Sequence, residues 1–292
     1  MRRRLWIRRV GRTLLALALA WPIVIAALSA RYVDTLLHPP CPAGLQSAPA
    51  GFKPVEVALP NGLRLRGWWS PPQNGGAVVL MAGHGGSRDS MLPEARFLAD
   101  HGFGALTLDY RQCAGQAVGL GAWETDEFHA AVDFVQAQPG VHWIAALGFS
   151  VGGSAVLRGS VSRPEVQAII AEGQYADLWS EVLLTPPARP LSLEWQIQRG
   201  VALILWARLG VWPGRISSLE ALPNLAPRPV LLIFGELEAL GAQAQAQFAA
   251  AQPPKELWIL PGVDHGGYAL ADPVAYQQRV LEFLESHRGA QP

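Results

Sequence analysis

The sequence predicts an α/β chain built on a mostly parallel sheet with helices on both faces. Two observations predict it. Short, almost wholly apolar runs recur along most of the chain, and helix-length segments separate them. Strands buried on both faces read as continuous apolar runs, which marks the parallel kind. With 292 residues, half of them apolar, the chain can bury a large core and still carry an inserted lid.

The elements follow in order. Residues 1–12, MRRRLWIRRVGR, hold six arginines and no acid, and Thr13–Ala30 carry no charge at all. A helix of that length roughly spans the hydrocarbon layer. Arginines stay on the cytoplasmic side, which puts the rest of the chain outside. We read residues 1–30 as a retained signal-anchor, with Arg31 and Tyr32 as its interfacial flank. The small residues of ALSA also fit a cleaved signal peptide, so export is the alternative. Pro22 need not prevent spanning. Residues 31–51 read as a linker, rich in proline, alanine and glycine from His38 on.

The domain, 52–290, opens with a hairpin turning at Asn61–Gly62. Strands are expected at 77–83, 104–110, 143–149, 166–173, 229–235 and 256–262. Helices are expected at 91–100, 124–138, 151–160, 242–251 and 273–287. Residues 175–226 break the rhythm and read as an inserted helical cap. It carries Trp195, Trp206 and Trp212 over a cleft or against the bilayer.

Composition narrows the chemistry. The chain is 16% charged and formally neutral, which gives no basic face for nucleic acid and no acidic tail. Cys41 and Cys113 show neither metal-ligand spacing nor a disulfide framework. A single bridge between them is an option for a domain outside the cytosol. No cluster has metal spacing, and neither a phosphate loop nor a G-x-G-x-x-G follows the first strand, so no metal or cofactor is expected.

Ligand sites in such sheets lie beyond the C-terminal ends of the strands, and the candidate residues fall there. In GFSVGG (148–153), Gly148 and Gly152 remove side chains where a strand turns sharply into a helix, leaving Ser150 exposed at the helix start. The plainer alternative is a tight turn with an N-cap serine. A serine hydroxyl needs a base, and His265, in PGVDHGG after the last strand, is the candidate. An acid should orient it. Glu238 in GELEALG is preferred, with Glu236 its rival, while Asp264 is expected to cap the turn. The amides of Val151 and Gly86 would hold an oxyanion, and His84 and Gly85 would shape the HGGSRDS loop. Asp109 and Arg111 are expected in a structural network between loops.

These motifs together resemble the α/β-hydrolase superfamily, in particular its serine peptidase-like and dienelactone-hydrolase-like branch, over roughly 52–290. The matching stretches are GHGGSRDS, LDYRQCAG, GFSVGG, GELE and DHGG. The resemblance implies an eight-stranded sheet with the cap after the sixth strand, and ester, thioester or peptide hydrolysis through an acyl-enzyme. Two departures stand out. Glutamate replaces the usual aspartate, and Gln112-Cys113-Ala114 replaces a glycine-led turn.

The expected function is therefore a membrane-anchored or exported serine hydrolase of carboxylic esters, with a lipid-like acyl group favoured by the apolar cap. A serine peptidase or acyltransferase uses the same residues. A noncatalytic, partner-binding protein of the same fold at the membrane is the alternative outside enzymes. A Ser150–His265 separation above about 5 Å would favour it.

Overall fold

The computed structural model describes residues 2–183 and 189–288. A long helix, α1 (Arg2–Leu37), precedes the hairpin of β1 (Lys53–Ala58) and β2 (Arg64–Ser70). At its turn Asn61 Oδ1 accepts from the Leu63 amide at 3.0 Å. The chain then alternates through β3 (Gly76–Met81), α2 (Leu92–Asp100), β4 (Gly104–Leu108), α3 (Glu124–Gln136), β5 (Trp143–Phe149), α4 (Val151–Ser160) and β6 (Val166–Glu172). An insertion holding α5 (Leu178–Leu183), α6 (Leu193–Leu209) and α7 (Ser218–Ala221) follows. The chain closes with β7 (Val230–Gly235), α8 (Glu236–Ala239), α9 (Ala244–Ala250), β8 (Lys255–Leu260), α10 (Tyr268–Ala271) and α11 (Pro273–His287).

The eight strands form one sheet in the order β1-β2-β4-β3-β5-β6-β7-β8. β2 is antiparallel to both neighbours, and every pairing from β4 to β8 is parallel. Every residue of β3, β4 and β7 is buried, which is why those strands read as unbroken apolar runs. Helices cover both faces, and the helical insertion lies between the sixth and seventh strands. Residues 184–188 of the expected cap lie outside the described residues.

Two features differ from expectation near the N-terminus. Residues 31–37, read as linker, are helix: α1 runs on to Leu37. Its last turns bury Val33 and Leu37 against Val201, Leu205 and Leu209 of α6. That apolar partner lies far off in sequence, so local composition does not announce it. The segment that follows is also fastened. Cys41 and Cys113 form a disulfide with Cα atoms 4.8 Å apart, and the Leu45 amide donates to Asp89 Oδ2 at 2.7 Å. Within α1, residues 9–37 contain an 18-residue stretch of mean hydropathy 2.2, and the helix is long and apolar enough to cross a membrane.

Candidate active site

The site grows out of the β5–α4 connection. Ser150 has φ 54° and ψ −117°, a left-handed conformation that a residue with a side chain adopts at a cost. Its amide donates to Glu172 C=O at 2.7 Å, which holds the turn against β6. The flanking glycines are required by close approach. A Cβ on Gly152 would lie 2.2 Å from Met81 C=O, and one on Gly148 would lie 2.3 Å from Gly152 C=O. The Ser150 side chain makes no capping bond to α4, unlike an N-cap serine. It faces His265 instead, with Oγ 3.1 Å from Nε2.

His265 stands in the loop after β8. Its Nδ1 lies 2.5 Å from Glu238 Oε2, and its ring packs on Phe149 with centroids 4.8 Å apart. Three donors hold the Glu238 carboxylate. Oε1 accepts from the Gly235 amide at 2.9 Å and from the Tyr268 hydroxyl, while Oε2 takes the imidazole. Burial alone would raise the Glu238 pKa, but the bonds from His265, Tyr268 and Gly235 outweigh it and hold it below the ordinary value. The hydrogen bond to Glu238 raises the His265 pKa against the opposing effect of burial. With Nδ1–H donating to the carboxylate, Nε2 is left to accept the Ser150 proton.

The rival acid lies elsewhere. Glu236 Oε2 accepts from the Gly262 amide at 2.8 Å, and Asp264 Oδ1 accepts from the His265 amide, capping the turn. The one-turn helix α8 separates the two glutamates by direction rather than distance along the chain. Tyr268 carries no motif of its own and was missed. Its only signal is its place three residues after His265. Phe149 was in view within GFSVGG, but nothing local marks it as the platform for the imidazole.

The HGGSRDS loop departs from expectation in one respect. The Gly86 amide, expected to face an oxyanion, donates instead to Gly83 C=O at 3.0 Å and closes a turn. Such turn bonds link neighbours only a few residues apart, and a glycine-rich stretch does not show which amides they use. Gly85, with φ 69°, sits under Pro39. His84 Nε2 donates to Leu36 C=O at 2.7 Å, tying the loop to the end of α1. The LDYRQC stretch braces it from below. Gln112 Nε2 donates to Gly86 C=O at 2.7 Å, Tyr110 to Ala82 C=O at 2.5 Å, and the Arg88 amide to Asp109 Oδ1 at 3.0 Å. Arg111 pairs with Glu127 at 2.6 Å.

A cleft of about 260 Å³ opens at this point, lined by Ser150, His265, Tyr175, Glu181, Leu237 and Glu238 among others. Burial raises the Glu181 pKa, only partly offset by His265. Val151 is the first residue of α4, where amides lack intrahelical partners. Among the described residues, no group of three or more histidines, cysteines or acids is placed to hold a metal ion.

The geometry has known counterparts at the level of fold. The chain superposes on an esterase of Pyrococcus furiosus (Pf2001) with TM-score 0.67 and 22% identity, covering 87% of this chain and all of that one. A dienelactone hydrolase of Anabaena variabilis gives TM-score 0.60 at 21% identity, over 81% of this chain and 98% of the other. The fold is therefore α/β-hydrolase-like. Among curated sequences, an uncharacterised protein of Mycobacterium tuberculosis is 28% identical over 257 residues, 84% of this chain and 83% of that protein. A polyketide transferase of a Penicillium species, GrgF, is 25% identical over 289 residues, 80% of this chain and 96% of that one. No family model matches the chain.

Proposed function

We propose that the protein is a serine hydrolase, held at a membrane by α1, that cleaves carboxylic esters through an acyl-enzyme. The observation that carries this is the unbroken chain from Ser150 Oγ through His265 to Glu238, with separations of 3.1 and 2.5 Å. Ser150 Oγ bonds to the acyl carbon while His265 Nε2 takes its proton. As the ester C–O bond breaks, His265 returns that proton to the leaving oxygen. Water, deprotonated by His265, then releases the acid. Glu238 holds the imidazole tautomer and offsets its charge. The Val151 amide stabilises the oxyanion.

The Cys41–Cys113 disulfide supports a domain outside the cytosol, because such bridges persist in oxidising compartments. This agrees with arginines inside and the domain beyond α1, whether the helix is retained or removed. Acyl transfer to an acceptor other than water is the second reading. It is favoured by the likeness to the Penicillium polyketide transferase over almost its whole length.

The test is covalent labelling with a fluorophosphonate, read by intact mass, beside Ser150→Ala. One adduct on the wild type that vanishes in the variant is expected. No adduct on folded protein in detergent would refute the hydrolase and leave partner binding as the function. Adding alcohols during ester turnover then separates hydrolysis from transfer.

A further inference from the structure

The cap helix α6 has apolar residues on most sides. Val201, Leu205 and Leu209 enter the core beneath the cap, while Leu203 and Trp206 stand half exposed. A helix apolar nearly all round belongs in a core or in lipid. Its companion is α1. Trp21 Nε1 donates to Gln196 Oε1 at 2.8 Å, and Ser29 Oγ donates to Ile197 C=O at 3.2 Å. Gly200 lies so close to Ser29 that a Cβ on it would stand 2.3 Å from that Oγ. Small residues at a crossing and polar side chains bonded across it are how helices pair in lipid.

Depth follows from the sequence of α1. Arg8, Arg9 and Arg12 exclude an earlier start, so the span needs Thr13–Ala30 to be long enough. Trp21 then lies roughly 13 Å below Ala30, close to half the hydrocarbon thickness of about 30 Å. Gln196, bonded to Trp21, goes with it. The first turns of α6 therefore enter the outer leaflet.

Between the two helices lies a mostly apolar groove of about 440 Å³, walled by Tyr32 of α1, Val182 of α5, and Leu193, Glu194, Ile197, Gln198 and Val201 of α6. Glu181, the neighbour of Val182 on α5, lines the cleft at Ser150, so groove and cleft meet α5 at adjacent residues. We propose that this groove receives one acyl chain of an outer-leaflet lipid, which makes the substrates of Ser150 membrane-resident acyl lipids. The substrate part rests on the hydrolase reading above. Continuity with the span identifies the occupant: Tyr32 lies just past Ala30, where lipid ester carbonyls sit.

The full chain is reconstituted in phosphatidylcholine vesicles doped with a phosphatidylcholine whose sn-2 chain ends in a diazirine. After irradiation, adducts are mapped by peptide mass. Adducts on the peptides holding Val182, Ile197 and Val201 are expected, with yields falling at least five-fold in Leu193→Trp and Ile197→Trp. Leu193 is half exposed, so its variant remains interpretable if the Ile197 variant fails to fold. In both variants the ratio of long-chain to acetyl ester turnover should drop at least ten-fold. Adducts confined to residues 13–30, or an unchanged ratio, overturn the proposal even if fluorophosphonate still labels Ser150. Groove adducts on a protein that turns over neither ester uphold the lipid site and remove the hydrolase reading instead.

Discussion

Replacing Glu238 by glutamine tests how the imidazole is governed, because the structure predetermines which way the amide must turn. A carboxylate accepts on both oxygens, whereas a carboxamide accepts on one side and donates on the other. Oε1 of Glu238 faces two donors, the Gly235 amide and the Tyr268 hydroxyl, and the first is a backbone group that cannot turn away. The amide oxygen therefore takes that side, and the NH2 faces His265 Nδ1. That forces the tautomer with a proton on Nε2, which cannot accept from Ser150. The charge opposite the imidazolium is lost as well. Together these effects should lower kcat by about 10³–10⁴-fold, or about 4–5.5 kcal/mol of transition-state stabilisation.

The assay is kcat/KM for a soluble p-nitrophenyl ester across pH. Activity needs neutral His265, so in the wild type it rises as pH passes a pKa that Glu238 holds above the usual 6.5. In Glu238→Gln the residual activity should show that limb displaced to lower pH. Tyr268→Phe should move it the other way by a smaller amount, since Glu238 then spends more of its charge on the imidazole. Glu236→Gln, whose carboxamide oxygen can still accept from the Gly262 amide, should stay close to wild type. A Glu238→Gln enzyme within ten-fold of wild type with an unmoved limb would refute the assignment.

Glu172 is buried whole in β6, takes a hydrogen bond from Tyr276 at 2.5 Å, and has its pKa pushed by burial from 4.5 to about 8. Between those values the folded chain keeps a proton that the unfolded chain has lost, so stability falls as pH rises from about 4.5 and levels off above about 8. At its steepest this one group contributes about 1.4 kcal/mol per pH unit. Thermal melts of the detergent-solubilised full chain at pH 5.5 and 7.5 should differ less in Glu172→Gln than in wild type, and equal differences would dismiss the buried acid. Removing the bridge with Cys41→Ser and Cys113→Ser opens a loop of sequence separation 72. The loss should be about 2–4 kcal/mol, seen as a melting point lower by roughly 5 °C or more. An unchanged melting point would mean that the bridged segment is held by its other contacts alone.

Much of this arrangement is legible before any coordinates. The parallel strands declare themselves because both faces are buried, and the Ser150 turn does so because Gly148 and Gly152 stand where backbones approach within 2.2–2.3 Å of where a Cβ would sit. What stays hidden depends on direction or on distant partners. Glu236 and Glu238 are two residues apart, and only the turn of α8 decides which meets His265. The Gly86 amide lies in the expected loop but is spent on Gly83. The last turns of α1 look like linker until α6 is folded beside them.

The end of α1 reaches the loops around the site. Val33 and Leu37 of α1 share one apolar core with Val201 and Leu205 of α6 and with Val151, the residue after Ser150. His84, in the loop opposite Ser150, donates to Leu36 C=O, and the Val118 amide donates to Leu37 C=O at 2.8 Å. The disulfide then holds Cys41, a few residues on, to the stretch whose Gln112 braces Gly86. A simple tether would be joined to its domain by a loose segment, and its removal would leave the site untouched. Here the end of α1 is packed and hydrogen-bonded into the loops on both sides of Ser150. The end of α1 thus braces the loops beside Ser150, and its removal would disturb them.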